Sequence, residues 1–255
     1  MKVNINMKRI VFFLLVQLMG VSVFAQQTTI KEAEAAYRKE NYNKAIELYE
    51  KLLKDNGESA SVYYNLGNAY YKAGKVAPSI LNYERALILN PGDGDIRFNL
   101  QMARLKAVDR IEPAGDFFLL RWFHAIENVK SADAWACISI VCFILLIGCL
   151  ILFFFSKYIR LKKLGFYGGV VLLLAVICTN IFAADQKDDL INRKFAIIFS
   201  PTVTIKSSPD TSGTDLFILH EGTKVRIKST LSGWKEISTE DGNVGWLPST
   251  DIQII

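Results

Sequence analysis

The sequence predicts a multidomain membrane protein that joins an all-α repeat, a two-helix transmembrane hairpin and a small all-β module. Three patterns support this fold class. Before residue 110, similar residues recur at a spacing of 34 positions, as in Ala35 and Ala69. Two uncharged apolar runs follow, at Ala134–Phe155 and Leu164–Ala184. From Phe195 onward, apolar and polar residues alternate with the period of two that is typical of β-strands.

Residues 1–25 have the pattern of a secretory signal peptide. Lys8 and Arg9 precede the apolar run Ile10–Val23, and Ala25 stands at the expected cleavage point. The apolar run is short for a membrane span, so we expect cleavage after Ala25, with an uncleaved signal anchor as the alternative. Export argues against a nucleic-acid partner, although the formal net charge is +5.

The first soluble segment, residues 26–111, is predicted to consist of helix pairs. Its second copy of the repeat has small residues where paired helices cross and aromatic residues that fill the space between them. These positions are Tyr63, Leu66, Gly67, Tyr70, Ser79, Tyr83, Ala86 and Pro91. This order, at a period of 34, resembles the tetratricopeptide repeat. In the first copy, Ala45 occupies the crossing position that Ser79 occupies in the second.

The two ends of the array depart from this pattern. The first copy has Glu32 and Ala33 where leucine and glycine are expected, so its opening helix should be short or frayed. The register continues into a third unit, in which Asn99 matches Asn65 at the 34-residue spacing. We expect this last helix to cap the array, because terminal repeats cover the final apolar face.

The resemblance implies a peptide-binding groove on the concave face, which the first helix of each pair forms. By the register, this face holds Tyr64, Asn65, Asn68, Tyr71, Lys72, Asn99 and Met102. We predict that five of them bind a partner: Tyr64, Asn65, Asn68, Lys72 and Asn99. The alternative is that these side chains pack between helices or face solvent. The paired basic residues that hold a peptide carboxylate in some family members are not matched, so we expect a different kind of ligand.

Residues 112–133 are predicted to form an amphipathic helix after a turn at Pro113 and Gly115. Its apolar stripe consists of Phe118, Leu119, Trp122, Phe123, Ile126 and Val129, while Arg121, Glu127 and Asn128 lie off the stripe. Tryptophan and phenylalanine beside charged residues favour the membrane interface. The alternative is that the stripe packs on the repeat as one more capping helix.

Residues 134–155 and 164–184 are predicted to be transmembrane helices. Each run is long enough, since about 20 apolar residues cross roughly 30 Å of hydrocarbon. The loop 156–163 carries four basic residues and no acid, whereas acids flank the outer ends of both runs. Because basic residues concentrate in short cytoplasmic loops, we place this loop in the cytoplasm of a bacterium and both soluble modules in the periplasm. A hairpin buried in a large soluble core is the alternative.

After a linker at 185–193, residues 194–255 are predicted to form a small β-module. The expected strands are Ala196–Phe199, Val203–Lys206, Leu216–Leu219, Thr223–Lys228, Trp234–Ser238 and Asn243–Pro248. Turn residues separate them, with Asp241-Gly242 as a strong hairpin signal. The segments Val203-Thr204-Ile205, Leu219 to Val225, Gly233-Trp234 and Gly245 to Pro248 resemble bacterial SH3 domains.

That resemblance implies an SH3-like barrel with a shallow, aromatic-lined groove for peptides or cell-wall fragments. Phe217, Trp234 and Trp246 are the candidate groove residues, and the alternative is that the tryptophans are core anchors.

The sequence predicts no enzyme, cofactor or metal site. All four cysteines lie inside the apolar runs, which leaves no disulfide framework in the soluble modules. The two histidines, His124 and His220, are expected to be exposed polar residues. No nucleophile–histidine–acid set, phosphate loop or paired catalytic carboxylate is recognisable.

The order of parts, with the run Tyr64 to Tyr70, Arg121-Trp122 and Gly245-Trp246, resembles the BatE type of the aerotolerance-related Bat proteins. This resemblance implies a non-catalytic scaffold whose partners are other Bat membrane proteins, some with von Willebrand-type domains. It also allows a MoxR-type ATPase on the cytoplasmic side. An envelope sensor or tether that binds peptidoglycan through the SH3-like module is the alternative function.

Overall fold

The computed structural model describes residues 27–111, 115 and 118–255. The predicted signal peptide therefore lies outside the described residues. Five helices come first: α1 over residues 27–38, α2 Tyr42–Asn56, α3 Ala60–Lys72, α4 Val76–Leu89 and α5 Gly94–Arg104. They confirm two helix pairs followed by a single helix. The first helix is well formed over 27–38 despite its departure from the repeat pattern.

Small residues at the helix crossings have the structural role that the repeat predicts. Ala45 and Ser79 are fully buried, and Ser79 Oγ donates a hydrogen bond to the Gly67 carbonyl oxygen at 3.0 Å. A Cβ at Gly67 would come within 2.7 Å of the Tyr83 ring. Glycine is thus required on α3 because the aromatic ring of α4 lies directly against the backbone.

Three helices connect the repeat to the sheet: α6 Phe118–Glu127, α7 Ala132–Phe155 and α8 Ile159–Asn192. The last is longer than the apolar run, because it includes most of the expected loop 156–163 and nearly all of the expected linker 185–193. The stretch 185–192 contains no proline or glycine that would end a helix. Only residues 156–158 remain between the two long helices.

Helices α7 and α8 pack as an antiparallel hairpin. A Cβ at Gly165 would lie 2.6 Å from the Cys149 carbonyl oxygen, so the backbones approach closely at one end. Near the other end, Asn180 Nδ2 donates to Ser139 Oγ at 2.6 Å. Both helices are long and apolar enough to cross a membrane. In the most apolar 18-residue stretch of each helix, only 11% and 17% of the residues, respectively, are buried within the protein. The rest of the protein therefore does not enclose them as core helices.

The C-terminal residues form a seven-stranded antiparallel sheet. Its strands are β1 Phe195–Ile198, β2 Thr202–Lys206, β3 Asp215–His220, β4 Lys224–Leu231, β5 Trp234–Ser238, β6 Val244–Pro248 and β7 Ile252–Ile254. The spatial order is β3-β2-β6-β5-β4-β1-β7. Six strands match the sequence prediction within a few residues, and β7 is an addition to it.

The sheet is open among the described strands, with β3 and β7 at its edges, so the predicted barrel is not confirmed as a closed sheet. The β7 edge is covered by the repeat instead of by another strand. Arg85 Nη2 on α4 donates to the Ile254 carbonyl oxygen at 2.6 Å. Ile197 and Ile255 are buried in the same apolar cluster as Ile80 of α4.

A turn of the sheet also lies against α4. Gly222 has φ +88°, and a Cβ there would come within 3.1 Å of Ile80 Cδ1. Beside this turn, the carboxylate of Asp109 accepts hydrogen bonds from His220 N, His220 Nδ1 and Thr223 Oγ1, each at 2.7 Å. The segment that follows the repeat is therefore fixed to the sheet.

A buried carboxylate links the repeat and the sheet. Glu84 on α4 is ion-paired with Arg104 of α5 and with Lys224 of β4, whose Nζ is 2.8 Å away. Burial alone would raise the pKa of Glu84, but the charges and hydrogen bonds of Lys224 and Arg104 outweigh it and lower the pKa. Because the pKa is lower in the folded state, this pairing stabilises the protein above the unfolded value of about 4.3.

We expect Glu84→Gln to destabilise the unit formed by the repeat and the sheet by about 3 kcal/mol at pH 7, because two cations lose their buried partner. We take the low end of the range for a broken buried ion pair, because the Arg104 side chain is 42% exposed and water can solvate part of its charge. The difference from wild type should shrink as the pH falls below the unfolded value of about 4.3, because the unfolded wild-type chain then takes up a proton at Glu84 before the folded protein does. Thermal unfolding at pH 7 and pH 3.5 measures both effects. Equal melting temperatures at pH 7 would show that the ion pairs do not stabilise the junction.

Candidate functional site

The candidate groove lies on α1, α3 and α5, whereas the sheet packs on α4. Three of the predicted partner-binding residues are joined there in one network. Asn99 Nδ2 on α5 donates to Tyr64 OH at 3.0 Å and to Asn68 Oδ1 at 2.9 Å, both on α3. These three side chains are half-buried, so part of their hydrogen-bonding capacity is used within the repeat.

Tyr83 of α4 supports this network from below. Its ring is 1% exposed, and its hydroxyl donates to Asn68 Oδ1 at 2.6 Å. Burial raises the pKa of Tyr83, which keeps the hydroxyl protonated as a donor. Asn68 Oδ1 thus accepts two hydrogen bonds from within the protein. The amide Nδ2 of the same side chain is left as the group that can donate to a ligand.

A cavity of about 200 Å³ opens between α1 and α3. It is lined by Glu34, Tyr37, Arg38, Tyr49, Asn65 and Asn68. Burial, with a smaller contribution from Glu34, raises the pKa of Tyr49 to about 12. The cavity offers a carboxylate, a guanidinium and amides beside aromatic walls, which suits the backbone and a side chain of an extended peptide.

The α1 residues of this cavity are absent from the sequence prediction, because the opening helix was expected to be short. The repeat spacing contained the signal, since Tyr37 matches Tyr71 and Arg38 matches Lys72. Lys72 is exposed at the end of α3, and Lys106 Nζ lies 3.8 Å from the centre of the Tyr71 ring. Basic groups therefore occur along both sides of the groove.

The three predicted residues of the β-module do not come together. Trp246 pairs across the strands with Glu236, and Trp234 pairs with Pro248, so both tryptophans lie on one face of the sheet. Phe217 pairs with Ile205 and packs against the buried cluster on the other face. Both tryptophans are half-buried, which is compatible with a binding surface and with a packing role.

The region 30–100 matches the tetratricopeptide repeat family. Two solved structures of the MamA protein are similar to this chain at 16% identity. One covers 66% of this chain and 94% of MamA with a TM-score of 0.30, and the other covers 63% and 96% with a TM-score of 0.28. No curated protein matches the chain. The family match agrees with a region that mediates protein–protein interaction.

We expect Asn68→Ala to destabilise the repeat by about 1–3 kcal/mol, because the buried Tyr83 hydroxyl loses its acceptor. Asn65→Ala should stay within about 0.5 kcal/mol of wild type, since Asn65 forms no hydrogen bond among the described side-chain contacts. Denaturant unfolding of both variants measures the difference.

A double-mutant cycle provides the control for this prediction. The change Tyr83→Phe removes the donor, so Asn68→Ala should cost less in that background than in wild type. An equal loss of unfolding free energy in both backgrounds would mean that the hydrogen bond from Tyr83 to Asn68 does not stabilise the network at the groove.

Proposed function

We propose that the protein is a non-catalytic scaffold anchored in the bacterial inner membrane, and that its repeat groove binds an extended segment of a partner membrane protein. The observation that carries this proposal is the placement of the groove. The sheet packs on α4, while the face formed by α1, α3 and α5 keeps Asn65 and the neighbouring cavity accessible. The match to tetratricopeptide repeats supports a protein ligand for this face.

The anchor in this proposal is the α7–α8 hairpin. Its two helices have the length and composition of membrane spans, and their apolar side chains face outward. The hairpin bend carries Lys157, Arg160, Lys162 and Lys163, which favours the cytoplasmic side for this end. The repeat and the sheet, at the other end of the hairpin, then lie in the periplasm.

Protease added to intact spheroplasts tests this topology. We expect the protease to degrade both the repeat and the sheet, because both stand outside the cytoplasmic membrane. Protection of either one until the membrane is permeabilised would contradict the proposed orientation. A cytoplasmic marker protein that stays intact in the same sample is the control for membrane integrity.

The resemblance to BatE-type proteins suggests the partners. They would be other Bat membrane proteins, including those with von Willebrand-type domains, in a complex related to stress or aerotolerance. A MoxR-type ATPase would act on the cytoplasmic side of the same complex.

The alternative function is an envelope sensor or tether that binds peptidoglycan through the SH3-like module. The shared face of Trp234 and Trp246 favours it, because aromatic rings on one face of a sheet can stack on a glycan. Retention of the full-length protein on purified cell wall, and its loss in Trp246→Ala, would support this function.

Site-specific photo-crosslinking in cells tests the scaffold proposal. A photoreactive amino acid at position 65 should give crosslinks to membrane proteins, because Asn65 lines the groove. The same group at position 51 is the control, since Lys51 is exposed on the second helix of the first pair. Crosslinks absent at position 65, or identical from both positions, would contradict binding in the groove.

A further inference from the structure

Three side chains of types that can bind a metal ion lie close together. Two are at the end of α6, and the third is where the apolar part of α8 gives way to its polar C-terminal part. His124 and Glu127 lie one turn apart on α6, and Asp185 lies on α8. One ligand atom from each residue lies within 4.8 Å of the other two, and His124 Nδ1 is 3.0 Å from Glu127 Oε2. Ligands bound to one zinc ion at about 2.0–2.2 Å have separations close to these, so small rotations would bring all three to one ion.

The charge at this position favours a cation. The Glu127 side chain is only 5% exposed, and its one ion-pair partner in the described part of the chain is His124. Asp185 brings a second carboxylate to the same place, and no lysine or arginine among residues 118–255 forms an ion pair with either acid. Buried carboxylates are costly unless they are paired or coordinate a metal. A divalent ion compensates both negative charges at once.

The surroundings hold these side chains in position. The Glu127 carbonyl oxygen accepts hydrogen bonds from Trp135 Nε1 at 2.8 Å and from Gln186 Nε2 at 2.7 Å. The Phe182 ring lies 5.0 Å from the Phe123 ring and 5.1 Å from the Trp135 ring. The end of α6 and this part of α8 are thus held together by contacts that do not use the side chains of the three candidate ligands. Such supporting contacts are what a preorganised metal site needs.

A cavity reaches one member of the cluster, His124, whereas Glu127 and Asp185 do not line it. It has a volume of about 450 Å³, and both His124 and Gln186 line it. Gln186 Oε1 is buried and has no hydrogen-bond donor among the described residues.

We propose that His124, Glu127 and Asp185 form a binding site for a divalent transition-metal ion such as Zn²⁺. One imidazole and two carboxylates are a ligand set that zinc accepts, with a fourth position left for water. The ion would link the end of α6 to the polar C-terminal part of α8, next to the apolar section of the hairpin. This site is separate from the groove of the repeat and does not depend on the scaffold function.

Metal titration of the full-length protein in detergent or nanodiscs tests the site. After treatment with a chelator, wild type should bind one Co²⁺ with visible absorption bands, and Zn²⁺ should displace it. Glu127→Gln and His124→Gln should each weaken binding by at least about 100-fold, because loss of an outer-shell partner alone costs about 10–100-fold. Asp133→Asn is the matched control, since this exposed acid lies near the cluster at the start of α7, and it should bind like wild type.

A second measurement links the ion to the position of α6. Arg121 and Lys130 are exposed on either side of the cluster, so Zn²⁺ should slow tryptic cleavage at both in wild type but not in Glu127→Gln. The change Asp185→Asn, at an exposed position, provides a ligand variant that keeps the packing around Glu127. Absence of saturable binding by wild type, or wild-type affinity in all three ligand variants, would overturn the proposal.

Discussion

The buried carboxylate of Glu84 is the constraint on which the arrangement of the soluble part depends. It stands on α4, and its two cations come from α5 and from the first residue of β4. A buried acid with two cationic partners stabilises only one relative placement of these elements, because a shift of either partner leaves an unpaired charge. Apolar packing of Ile197 and Ile255 on the same helix adds area to this contact. The repeat and the sheet are therefore joined through α4 instead of being two independent modules linked only by the apolar hairpin.

This placement has consequences at both ends of the molecule. Because the sheet covers α4, the face of the repeat that stays open is the one formed by α1, α3 and α5, and this is the face that we propose binds a partner. The loop after α4 also approaches the residues that follow α6, since a Cβ at Gly92 would lie 2.4 Å from the Val129 carbonyl oxygen. A partner bound in the groove would thus contact a body that is fixed, through α6 and α8, to the hairpin. The proposed metal site lies between the repeat and the apolar hairpin, where these contacts are made.

Local patterns in the sequence predicted the helices, the long apolar hairpin and six of the seven strands. Helix crossings require small residues, so Ala45, Gly67 and Ser79 were recognisable from spacing alone. Strand β7 was missed because it has only three residues and follows Pro248 after a single turn at Ser249–Asp251. The contacts between modules left no local signal: Glu84 and Lys224 are 140 positions apart. For the same reason no local pattern indicated that Asp185 would join His124 and Glu127, and Glu127 was placed on the polar side of its helix although it is buried.

Hydrogen exchange of the full-length protein, measured by mass spectrometry on wild type and Lys224→Met, tests the central claim most directly. The substituted residue belongs to the sheet, yet we predict faster exchange in α4 and α5 as well as in β4, because Glu84 loses one of its two cations. Lys228→Met is the matched control, since Lys228 lies exposed on the same strand, and it should leave α4 and α5 unchanged. Faster exchange that stays within the sheet in Lys224→Met would contradict the account and show that the two modules are independent.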